Sequence, residues 1–451
     1  MMRIKVFLIL LLFSAAIRAQ SPDILATATG RSFTSADLTP DVRSLWEKRN
    51  DVYRAQRNQL LYDMVTEIVI DLEAKAKNTT STRLIADQRA QVADPTDAQI
   101  TAVYEANREA LGNKPIADVR KSIVEFLRRD PEQNLLKSYV DELAIKYNVT
   151  YGKDVNDSGL KPGDPLFTVG TRTVTAQEFD TKYKFALYDA KATPVDELNA
   201  DLEAAVLNYL VETEAASLKL DPQAYIAKEV TDKLVQKTDD ERADLENALK
   251  HRLFVKYKAK FLIKPPPPIV QKISVDDDPA TGPLNAPVTV VMFADFQCSA
   301  CSRTEPILKK VIAEYPGKIR YVMRDFPLEQ IHENAFIAAL AANAANAQGK
   351  FFEYGDLLFH NQDKLDPESL KKYAAQIGLN ASQFTVDFNS EKAKAEVRKD
   401  MADGVSYGIT GTPTIFVNGI KVRRLSAEDF RDAIDDALKT ATPAAARAAR
   451  R

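Results

Sequence analysis

Two cysteines are the residues of this sequence best suited to chemistry. They are the only cysteines among 451 residues, and they are spaced as Cys298-Ser299-Ala300-Cys301. Two thiols at this spacing can close and reopen a disulfide by thiol–disulfide exchange. Zinc would need four ligands, and neither a second CxxC motif nor paired histidines accompany this one. A purely structural disulfide would close a loop near the minimum size and add little stability. The spacing therefore predicts a redox-active pair and no metal site.

The residues around the pair predict a strand–helix–strand unit that positions it. Apart from Thr289 and Asp295, residues 288–296 are an apolar run with several β-branched residues, which is typical of a buried central strand. A helix is predicted over about 299–315, with a kink at Pro306, and a second strand over 319–323 closes a βαβ unit. The inner face of this helix is predicted to consist of Ile307, Leu308, Val311 and Ile312.

The predicted helix gives the two cysteines different roles. Cys298 would lie at its N-terminus, where unpaired backbone N–H groups and the helix dipole favour negative charge and lower the pKa of a thiol. Cys301 follows about one turn later on the same side, close enough to form a disulfide with Cys298. We therefore predict that Cys298 is the exposed attacking thiolate and that Cys301 is the resolving thiol.

The segment after residue 410 predicts the remaining edge of a sheet. The tetrapeptide GTPT at residues 411–414 precedes an apolar strand at 415–417, and the dipeptide NG at 418–419 is a strong signal for a type I′ hairpin turn. A final helix is predicted to start near Ser426, with Asp429 available for a capping interaction.

Four stretches of this region together resemble one protein family. As an ordered set they are similar to the DsbA family of thioredoxin-fold proteins, particularly to its BdbD-like branch, and the resemblance covers nearly the whole region from about 280 to 440. The stretches are FADFQCSAC at residues 293–301, YVMRDFPL at 321–328, QGKFFEYGDLLFHNQ at 348–362 and GITGTPTIFVNG at 408–419.

The resemblance implies an α/β thioredoxin fold with a helical insertion, in a domain that spans residues 286–440. The insertion would cover about 330–405. Cys298 and Cys301 would be the catalytic residues and form the redox-active disulfide, and Pro413 would be a cis-proline facing them. Thr412 and Pro413 would bind substrate, because the backbone of Thr412 would line the groove and pair with an extended client segment.

The sequence departs from the pattern of this family beside the cysteine pair. Many relatives carry an acidic residue on the central strand six positions before the first cysteine, where this chain has Met292. Asp295 is three positions before Cys298 and lies on the opposite strand face if the alternation holds. The Ser299-Ala300 dipeptide also lacks the histidine that the strongest oxidants carry between their cysteines. The direction of electron flow therefore stays open.

Outside the pair, the sequence offers little other chemistry. His332 and His360 fall in the expected insertion and are interpreted as surface or packing residues, since neither belongs to a nucleophile–base motif. The net charge of -3 gives no electrostatic reason to expect a nucleic-acid partner. We expect no cofactor.

The first residues have the pattern of an export signal. Arg3 and Lys5 precede an apolar run at residues 6–13, and small residues follow. The run is shorter than the roughly 20 residues that a transmembrane helix needs. We predict a signal peptide at residues 1–19, cleaved near Ala19, and a periplasmic protein; a retained membrane anchor is the alternative. Export would place the cysteine pair where disulfides persist.

Four consecutive prolines at residues 265–268 mark the main break in the chain. They favour a stiff polyproline II spacer, and acidic residues, Pro279 and Gly282 continue the break. We predict a Pro-rich linker at residues 265–285.

The sequence before this break repeats itself. Residues 25–38 match residues 166–179 at a shift of 141, and the same shift aligns Glu73 with Glu214. Toward the ends of the two copies, LAIKY at residues 143–147 matches LFVKY at residues 253–257 at a shift of 110. The repeat predicts two related, mainly helical modules, at residues 20–160 and 161–264.

The first module has helical patterns that resemble a chaperone domain. Residues 120–127 continue a helical pattern that Asp130-Pro131 is expected to interrupt. The module is similar to the N-terminal helical module of SurA-type periplasmic chaperones, which hold unfolded outer-membrane proteins, so the resemblance implies client binding; a structural or dimerising role is the alternative. The similar segments are PTDAQITAVYEANREAL at residues 95–111, ADVRKSIVEFL at 117–127 and LLKSYVDELAIKYNV at 135–149.

Together these patterns favour a periplasmic thiol–disulfide oxidoreductase that forms disulfides in exported proteins. The alternatives are a disulfide isomerase or reductase, and a holdase chaperone with an auxiliary redox domain. The expected partners are unfolded or cysteine-containing exported clients, a redox partner that resets the pair, and a second copy of the chain in a homodimer. Residues 441–451, rich in alanine and arginine, are predicted to form a solvated basic tail.

Overall fold

The computed structural model describes residues 23–275 and 277–440, which form two compact units. The first unit consists of residues 23–50 and Lys191–Pro266, and the second consists of Asp51–Ala190 and residues 267–440. The predicted signal peptide at 1–19 and the predicted basic tail at 441–451 lie outside the described residues.

Helices dominate the chain up to residue 266, and a five-stranded sheet with flanking helices follows. The elements of the N-terminal region are β1 (Ala26–Ala28), β2 (Arg31–Phe33), α1 (Pro40–Ala76), α2 (Ser81–Arg89), α3 (Asp97–Ala106), α4 (Ile116–Lys146), β3 (Val149–Tyr151), β4 (Pro165–Val169), β5 (Arg172–Thr175), α5 (Ala176–Lys182), α6 (Lys184–Ser217), α7 (Pro222–Glu229), α8 (Asp239–Lys256) and β6 (Lys260–Phe261). Those that follow are β7 (Ala280–Thr281), β8 (Val288–Ala294), α9 (Ser299–Ala313), β9 (Ile319–Asp325), α10 (Ala335–Asn346), α11 (Phe351–His360), α12 (Pro367–Gln376), α13 (Ala381–Phe388), α14 (Glu391–Ser406), β10 (Thr414–Val417), β11 (Ile420–Lys421) and α15 (Ala427–Thr440).

The two small sheets of the N-terminal region explain why the units differ from the predicted modules. In the first unit, the β1–β2 hairpin pairs with β6, and in the second unit, the β4–β5 hairpin pairs with β3. Each hairpin that opens one sequence repeat is thus completed by the strand that closes the other repeat. The modules predicted at 20–160 and 161–264 therefore do not coincide with the compact units, whose boundaries fall within α1 and α6. A short hairpin needs a partner for its edge, and that partner is distant in sequence.

Each unit contains a buried glutamate held by a lysine and a tyrosine. In the second unit, Glu73 pairs with Lys146 and accepts a hydrogen bond from the Tyr147 hydroxyl at 2.7 Å. We call this group, together with Lys77, the Glu73 cluster. In the first unit, Glu214 accepts from Lys256 at 2.5 Å and from the Tyr257 hydroxyl at 2.8 Å, and this is the Glu214 cluster. The glutamate, lysine and tyrosine that the two clusters share are residues that the sequence repeat aligns, whereas Lys77 has no counterpart in the Glu214 cluster.

Helix α4 corrects the prediction that Asp130-Pro131 interrupts the chain's helical pattern. Pro131 lies inside one helix that runs from Ile116 to Lys146. A proline within a helix costs roughly 3 kcal/mol, because it removes one backbone hydrogen bond and its ring clashes with the carbonyl of the preceding turn. Both ends of α4 are anchored by packing, through Val119 and Ile123 in one apolar cluster and through Val140 and Leu143 in another, and this burial offsets the cost.

The second unit also contains a sheet of five strands in the order β11-β10-β8-β9-β7. Strands β8 and β9 are parallel and are joined by α9, as the predicted βαβ unit requires, whereas β10 runs antiparallel to β8. Strand β8 is apolar except for Thr289 because both of its faces are covered: Val290 and Met292 belong to one core cluster, and Val291 and Phe293 belong to another.

The other predicted local features of this sheet are present with small differences. Asn418 and Gly419 both have positive φ, as a type I′ turn between β10 and β11 requires. The hydroxyl of Ser426 accepts a hydrogen bond from the backbone N–H of Asp429, which caps α15. Ile307, however, is 39% exposed, so its place on the predicted inner face of α9 is wrong.

Five helices, α10 to α14, lie between β9 and β10 and form the helical insertion, close to the predicted range of 330–405.

The segment predicted as a linker at 265–285 is more ordered than a free spacer. Strand β7 lies within it and pairs with β9, while Val270 forms a β-bridge with Ile420. Ile269 and Ile273 pack against the core of the sheet. This apolar contact holds the segment in place, and the run of prolines gave no indication of it. Within the described part of the chain, no helix is both long and apolar enough to cross a membrane.

Candidate redox site

Cys298 lies at the junction between the central strand and the helix that follows it. It is the N-cap residue of α9, and its carbonyl accepts a hydrogen bond from the backbone N–H of Ser302 at 3.2 Å. The Sγ atom lies 3.5 Å from the carbonyl oxygen of Thr412. Cys298 is only 8% exposed, so the prediction that it is an exposed thiolate is wrong. Both Thr412 and Gln362 of the helical insertion contact it.

The two thiols have opposite electrostatic environments. A hydrogen bond from the Cys301 thiol, together with the backbone N–H groups of Cys301 and Ala300, lowers the pKa of Cys298 to about 5 against the opposing effect of burial. Cys301 is fully buried, and burial raises its pKa well above the usual value for a thiol. At neutral pH Cys298 is therefore a thiolate and Cys301 keeps its proton.

The Thr412–Pro413 peptide bond is cis, as the resemblance to the DsbA family implies. It precedes β10, whose pairing with β8 brings Thr414 opposite Phe293 and holds the preceding turn next to the cysteine pair. All four predicted site residues, Cys298, Cys301, Thr412 and Pro413, are thus gathered at one end of the sheet.

Gln362 connects the helical insertion to the cysteine loop, and the sequence analysis did not single it out. Its side-chain amide donates to the carbonyl oxygens of Phe296 at 2.8 Å and Cys298 at 2.9 Å. These contacts hold the segment that directly precedes α9. Gln362 is the last residue of the stretch QGKFFEYGDLLFHNQ, so its place in that stretch was an available signal.

Asp295 and His332 form a second unpredicted contact beside the pair. Asp295 follows β8 and is 1% exposed, so the strand alternation used to place it does not apply. Its carboxylate accepts from the backbone N–H groups of Gln297 at 2.7 Å and Leu328 at 2.9 Å, and it lies 2.7 Å from Nδ1 of His332. The interpretation of His332 as a mere surface or packing residue is therefore incomplete, because it helps to order the loop before Cys298.

The position where relatives carry an acidic residue is filled by apolar packing. Met292 is fully buried, and its Sδ atom accepts a hydrogen bond from the Tyr321 hydroxyl at 3.4 Å. A buried carboxyl lies instead on α9, where Glu305 is 3% exposed. The helical spacing of Cys301, Glu305 and Leu308 places these residues on one face of α9, and this pattern could have been found in the sequence.

An acidic cluster away from the cysteine pair surrounds a buried arginine. Among the described residues, Asp278, Glu396 and Asp400 are close enough together to hold a metal ion. Arg324 already provides positive charge there: its guanidinium lies 3.2 Å from Asp278 and 2.8 Å from Asp403, and it also pairs with Asp400. The cluster is therefore an ion-pair network that joins β9 to α14.

Residues 274–436 of the chain match the family model described as Thioredoxin. This match covers the five-stranded sheet and the helical insertion, and it agrees with the thioredoxin fold predicted for the C-terminal region. The match leaves the first 273 residues outside its range.

Two curated relatives share sequence with part of the chain. The protein named Na(+)/H(+) antiporter NhaA 3 from Salinispora tropica is 39% identical over 147 residues, which are 33% of this chain and 22% of that protein. Na(+)/H(+) antiporter NhaA 1 from Mycolicibacterium vanbaalenii is 37% identical over 165 residues, which are 35% of this chain and 27% of that protein. The chain thus spans about a quarter of the length of these relatives.

Three solved structures are similar to about a third of the chain. A thioredoxin-like oxidoreductase from Silicibacter pomeroyi is 29% identical, with a TM-score of 0.34 and coverage of 36% of this chain and 94% of that one. BdbD from Bacillus subtilis is 23% identical, with a TM-score of 0.35 and coverage of 38% and 98%. The α-DsbA1 protein of Wolbachia pipientis is 23% identical, with a TM-score of 0.34 and coverage of 38% and 94%.

Proposed function

We propose that this chain is an exported thiol–disulfide oxidoreductase of the DsbA type, which forms disulfides in client proteins through Cys298 and Cys301. The contrast between the two thiols carries the proposal: the pKa of Cys298 is lowered to about 5, whereas burial raises the pKa of Cys301. A low pKa of the attacking cysteine stabilises the reduced pair, so the disulfide form becomes a better oxidant. The match of residues 274–436 to the thioredoxin family supports the same chemistry.

In the oxidising direction, a client thiolate attacks Sγ of Cys298 in the disulfide form. The bond between Cys298 and Cys301 breaks, a bond between Cys298 and the client sulfur forms, and the electron pair remains on Cys301, which takes up a proton. A second client thiolate then attacks the client sulfur, and Cys298 leaves as a thiolate because its pKa lies below neutral pH. The client loses two electrons and the cysteine pair gains them.

The client would lie in an extended conformation beside Thr412 and Pro413. The Thr412 carbonyl is 3.5 Å from Sγ of Cys298, so a strand paired with the backbone of Thr412 would carry its own cysteine close to the attacking sulfur. Recognition through backbone groups tolerates many client sequences, as a general oxidant of exported proteins requires.

The equilibrium potential of the pair against glutathione tests the direction of electron flow. We expect a value above about -195 mV, closer to the roughly -120 mV of DsbA than to the roughly -270 mV of thioredoxin. A value near -270 mV would favour the reductase or isomerase alternative.

The Cys298→Ala variant should oxidise a reduced client at least about 1,000-fold more slowly, because the attacking sulfur is gone. Full client oxidation by that variant would refute the proposal.

The pH dependence of the same potential tests the assignment of the low pKa. Above pH 5 only Cys301 gains a proton on reduction, so the potential should fall by about 30 mV per pH unit; below pH 5 both thiols gain one, and the slope should double to about 59 mV. A break in slope near pH 8 or 9 would show that Cys298 has an ordinary thiol pKa.

For the N-terminal region we propose a duplicated, SurA-like arrangement that retains unfolded clients. The equivalent contacts of the Glu73 and Glu214 clusters support the duplication, and Phe126 and Ile145, which are 53% and 80% exposed, offer apolar contact surface. Suppression of aggregation of an unfolded outer-membrane protein by the Cys298→Ala variant measures this activity apart from redox chemistry. If that variant also restores the phenotype of a deletion strain completely, the holdase is the main function.

The export proposal rests on the sequence of residues 1–19, and its test is direct. Protein recovered from the periplasm of the producing cell should have the mass of a chain that begins near Gln20. Recovery of an uncleaved chain in the membrane fraction would favour the retained anchor.

A further inference from the structure

Each catalytic cycle of the proposed function must move a proton to and from a sulfur that solvent does not reach. Cys301 has an exposed fraction of 0%, and it gains a proton whenever the disulfide is reduced and loses one whenever the disulfide forms again. A thiolate left in this apolar surrounding would be a poor leaving group. A nearby group that can give and take a proton would remove this obstacle.

Glu305 occupies the position from which a side chain can do this. It lies one helical turn beyond Cys301 on α9, and residues at this spacing are neighbours on the helix surface. Its exposed fraction is 3%, so it faces the same buried interior. Burial raises the pKa of Tyr321 on strand β9, and the nearby charges of Glu305 and Cys301 raise it further. The three groups therefore share one enclosed region beneath the cysteine pair.

A row of hydrogen-bonded charges connects Glu305 to the surface. The Nζ atom of Lys309 lies 2.7 Å from the Glu305 carboxylate and 2.6 Å from the carboxylate of Asp356 on α11. The exposed fractions of these side chains increase in the same order: 4% for Glu305, 33% for Lys309 and 49% for Asp356. This row gives the buried carboxyl of Glu305 a polar connection to solvent through Lys309 and Asp356.

We infer that Glu305 is the group that exchanges the proton of Cys301, which extends the proposed function and rests on it. When a client thiolate breaks the Cys298–Cys301 bond, the electron pair on Cys301 takes the proton of the neutral Glu305 carboxyl, directly or through one water molecule. The Glu305 carboxylate then regains a proton from solvent beside Lys309. Re-formation of the disulfide runs in reverse, with the carboxylate accepting the proton of Cys301.

The groups around Glu305 shift its pKa and so decide at which pH it can give or take a proton. Burial raises its pKa, and Asp356 adds to that effect, whereas Lys309 and His360 act in the opposite direction. The charged and titratable groups around it are thus Lys309 on its own helix, Tyr321 on β9, and Asp356 and His360 on α11, while Cys301 lies one helical turn before it. The neutral carboxyl is therefore available closer to neutral pH than for an exposed glutamate.

The test is the rate at which dithiothreitol opens the Cys298–Cys301 disulfide in the full-length protein, followed by acid quenching and thiol labelling between pH 4 and pH 9. Glu305→Gln should lower this rate by about 10- to 100-fold and flatten its pH dependence, since the amide neither gives nor takes a proton. Glu314→Gln is the matched control: Glu314 caps the far end of the same helix and pairs with Arg431 at the surface, so the rate should be unchanged. Glu305→Asp should restore part of the rate because it keeps a carboxyl group.

Two further measurements distinguish a failure of this inference from a failure of the variant to fold. The Cys298 thiolate absorbance should titrate near pH 5 in both wild type and Glu305→Gln, since the attacking thiol keeps its own donors. If the variant does not fold, carboxyl ¹³C NMR of the wild type should show the Glu305 signal titrating at a different pH in the oxidised and reduced states. Equal rates and pH profiles for Glu305→Gln and wild type, or a redox-independent Glu305 titration, would overturn the inference. Wild-type protein that cannot oxidise client dithiols would instead overturn the proposed function.

Discussion

The N-terminal region, up to residue 266, and the C-terminal thioredoxin-fold region at 286–440, called here the redox domain, both bury a glutamate beside a lysine, yet the pKa values of the two carboxyls shift in opposite directions. In the Glu73 cluster, Lys146, then Tyr147, and also Lys77 donate to the carboxylate and lower its pKa to about 2. Glu305 of the redox domain receives a hydrogen bond from Lys309, which also serves Asp356, and burial raises its pKa. A buried carboxylate with enough donors remains ionised and ties elements together, whereas one with too few becomes a group that can exchange a proton.

The Glu214 cluster extends this comparison to the other unit. Hydrogen bonds from Lys256 and Tyr257 lower the pKa of Glu214 despite its burial. Its position, like that of Glu73, is at the end of a long helix and joins that helix to the residues that precede a short strand. In the N-terminal region, a buried glutamate with lysine and tyrosine donors thus occurs twice and stabilises the fold. The buried glutamate of the redox domain has fewer donors, which suits the proposed proton exchange.

The largest stability effect is expected for Glu73→Gln. It removes the negative charge to which Lys146, Lys77 and Tyr147 donate, and we expect a loss of about 3 kcal/mol in the free energy of unfolding at pH 7. Urea unfolding followed by far-UV circular dichroism measures it. Glu67→Gln on the same helix is the control, since the Glu67 ion pair with Lys182 is exposed and should contribute less than about 1 kcal/mol. Equal effects of the two substitutions would contradict the comparison.

Glu214→Gln should be destabilising by a somewhat smaller amount, about 2 kcal/mol at pH 7. Glu214 has Lys256 and Tyr257 as its hydrogen-bond donors and is slightly more exposed than Glu73. The same urea titration applies, with Glu212→Gln as control because Glu212 is exposed on the same helix. If Glu214→Gln lowered the free energy of unfolding by less than Glu212→Gln does, the two clusters would not be equivalent.

The penalty of Glu73→Gln should depend on pH with a definite sign. The pKa of Glu73 is lower in the folded protein than its ordinary value of 4.5, so its contribution is fully present above pH 4.5 and is lost as the pH falls toward 2. At pH 3 the difference between wild type and variant should therefore have fallen by about half. Unfolding curves at pH 7, 4 and 3 would show this, and a constant difference would mean that the ionised form of Glu73 is not what stabilises the fold.

The smallest effect, and the opposite sign, is expected for the stability of Glu305→Gln. The pKa of Glu305 is raised in the folded protein, so its favourable contribution is present below its unfolded pKa and is lost as the pH rises through the folded one. At pH 7 a neutral glutamine should leave stability unchanged or increase it by less than about 1 kcal/mol. Thermal unfolding at pH 7 provides the measurement. A destabilisation comparable to that of Glu73→Gln would place Glu305 among the structural carboxylates.

Much of the redox domain could be predicted because its signals are local. The apolar run that becomes β8, the helix that starts after Cys298 and the NG turn at residues 418–419 each follow from a few neighbouring residues. The cis bond before Pro413 was predicted from the resemblance to a family, because no local pattern in the sequence indicates it. The fold of this domain and the positions of its two cysteines were therefore accessible from the sequence.

The contacts that complete the site were not accessible in the same way. Gln362 reaches Cys298 across 64 positions, and His332 reaches Asp295 across 37. No local pattern indicates which polar side chain will supply the donor for a buried carbonyl or carboxylate. The burial of Cys298 depends on the same distant segments, which is why its exposure was overestimated.

The cysteine spacing and the strand–helix pattern by themselves determined that this protein carries an asymmetric thiol pair, since the helix start that lowers one pKa is a local feature. The tertiary structure alone decided which hairpin pairs with which strand, and it set the partners of each buried carboxyl. Both depend on long-range pairing. The strand that completes each hairpin and the Lys146 donor of Glu73 lie far away in sequence, and Lys309, although it is a helical neighbour of Glu305, is shared with Asp356 on a different helix. The number of donors that folding brings to a buried carboxyl decides whether it stabilises the fold or exchanges a proton.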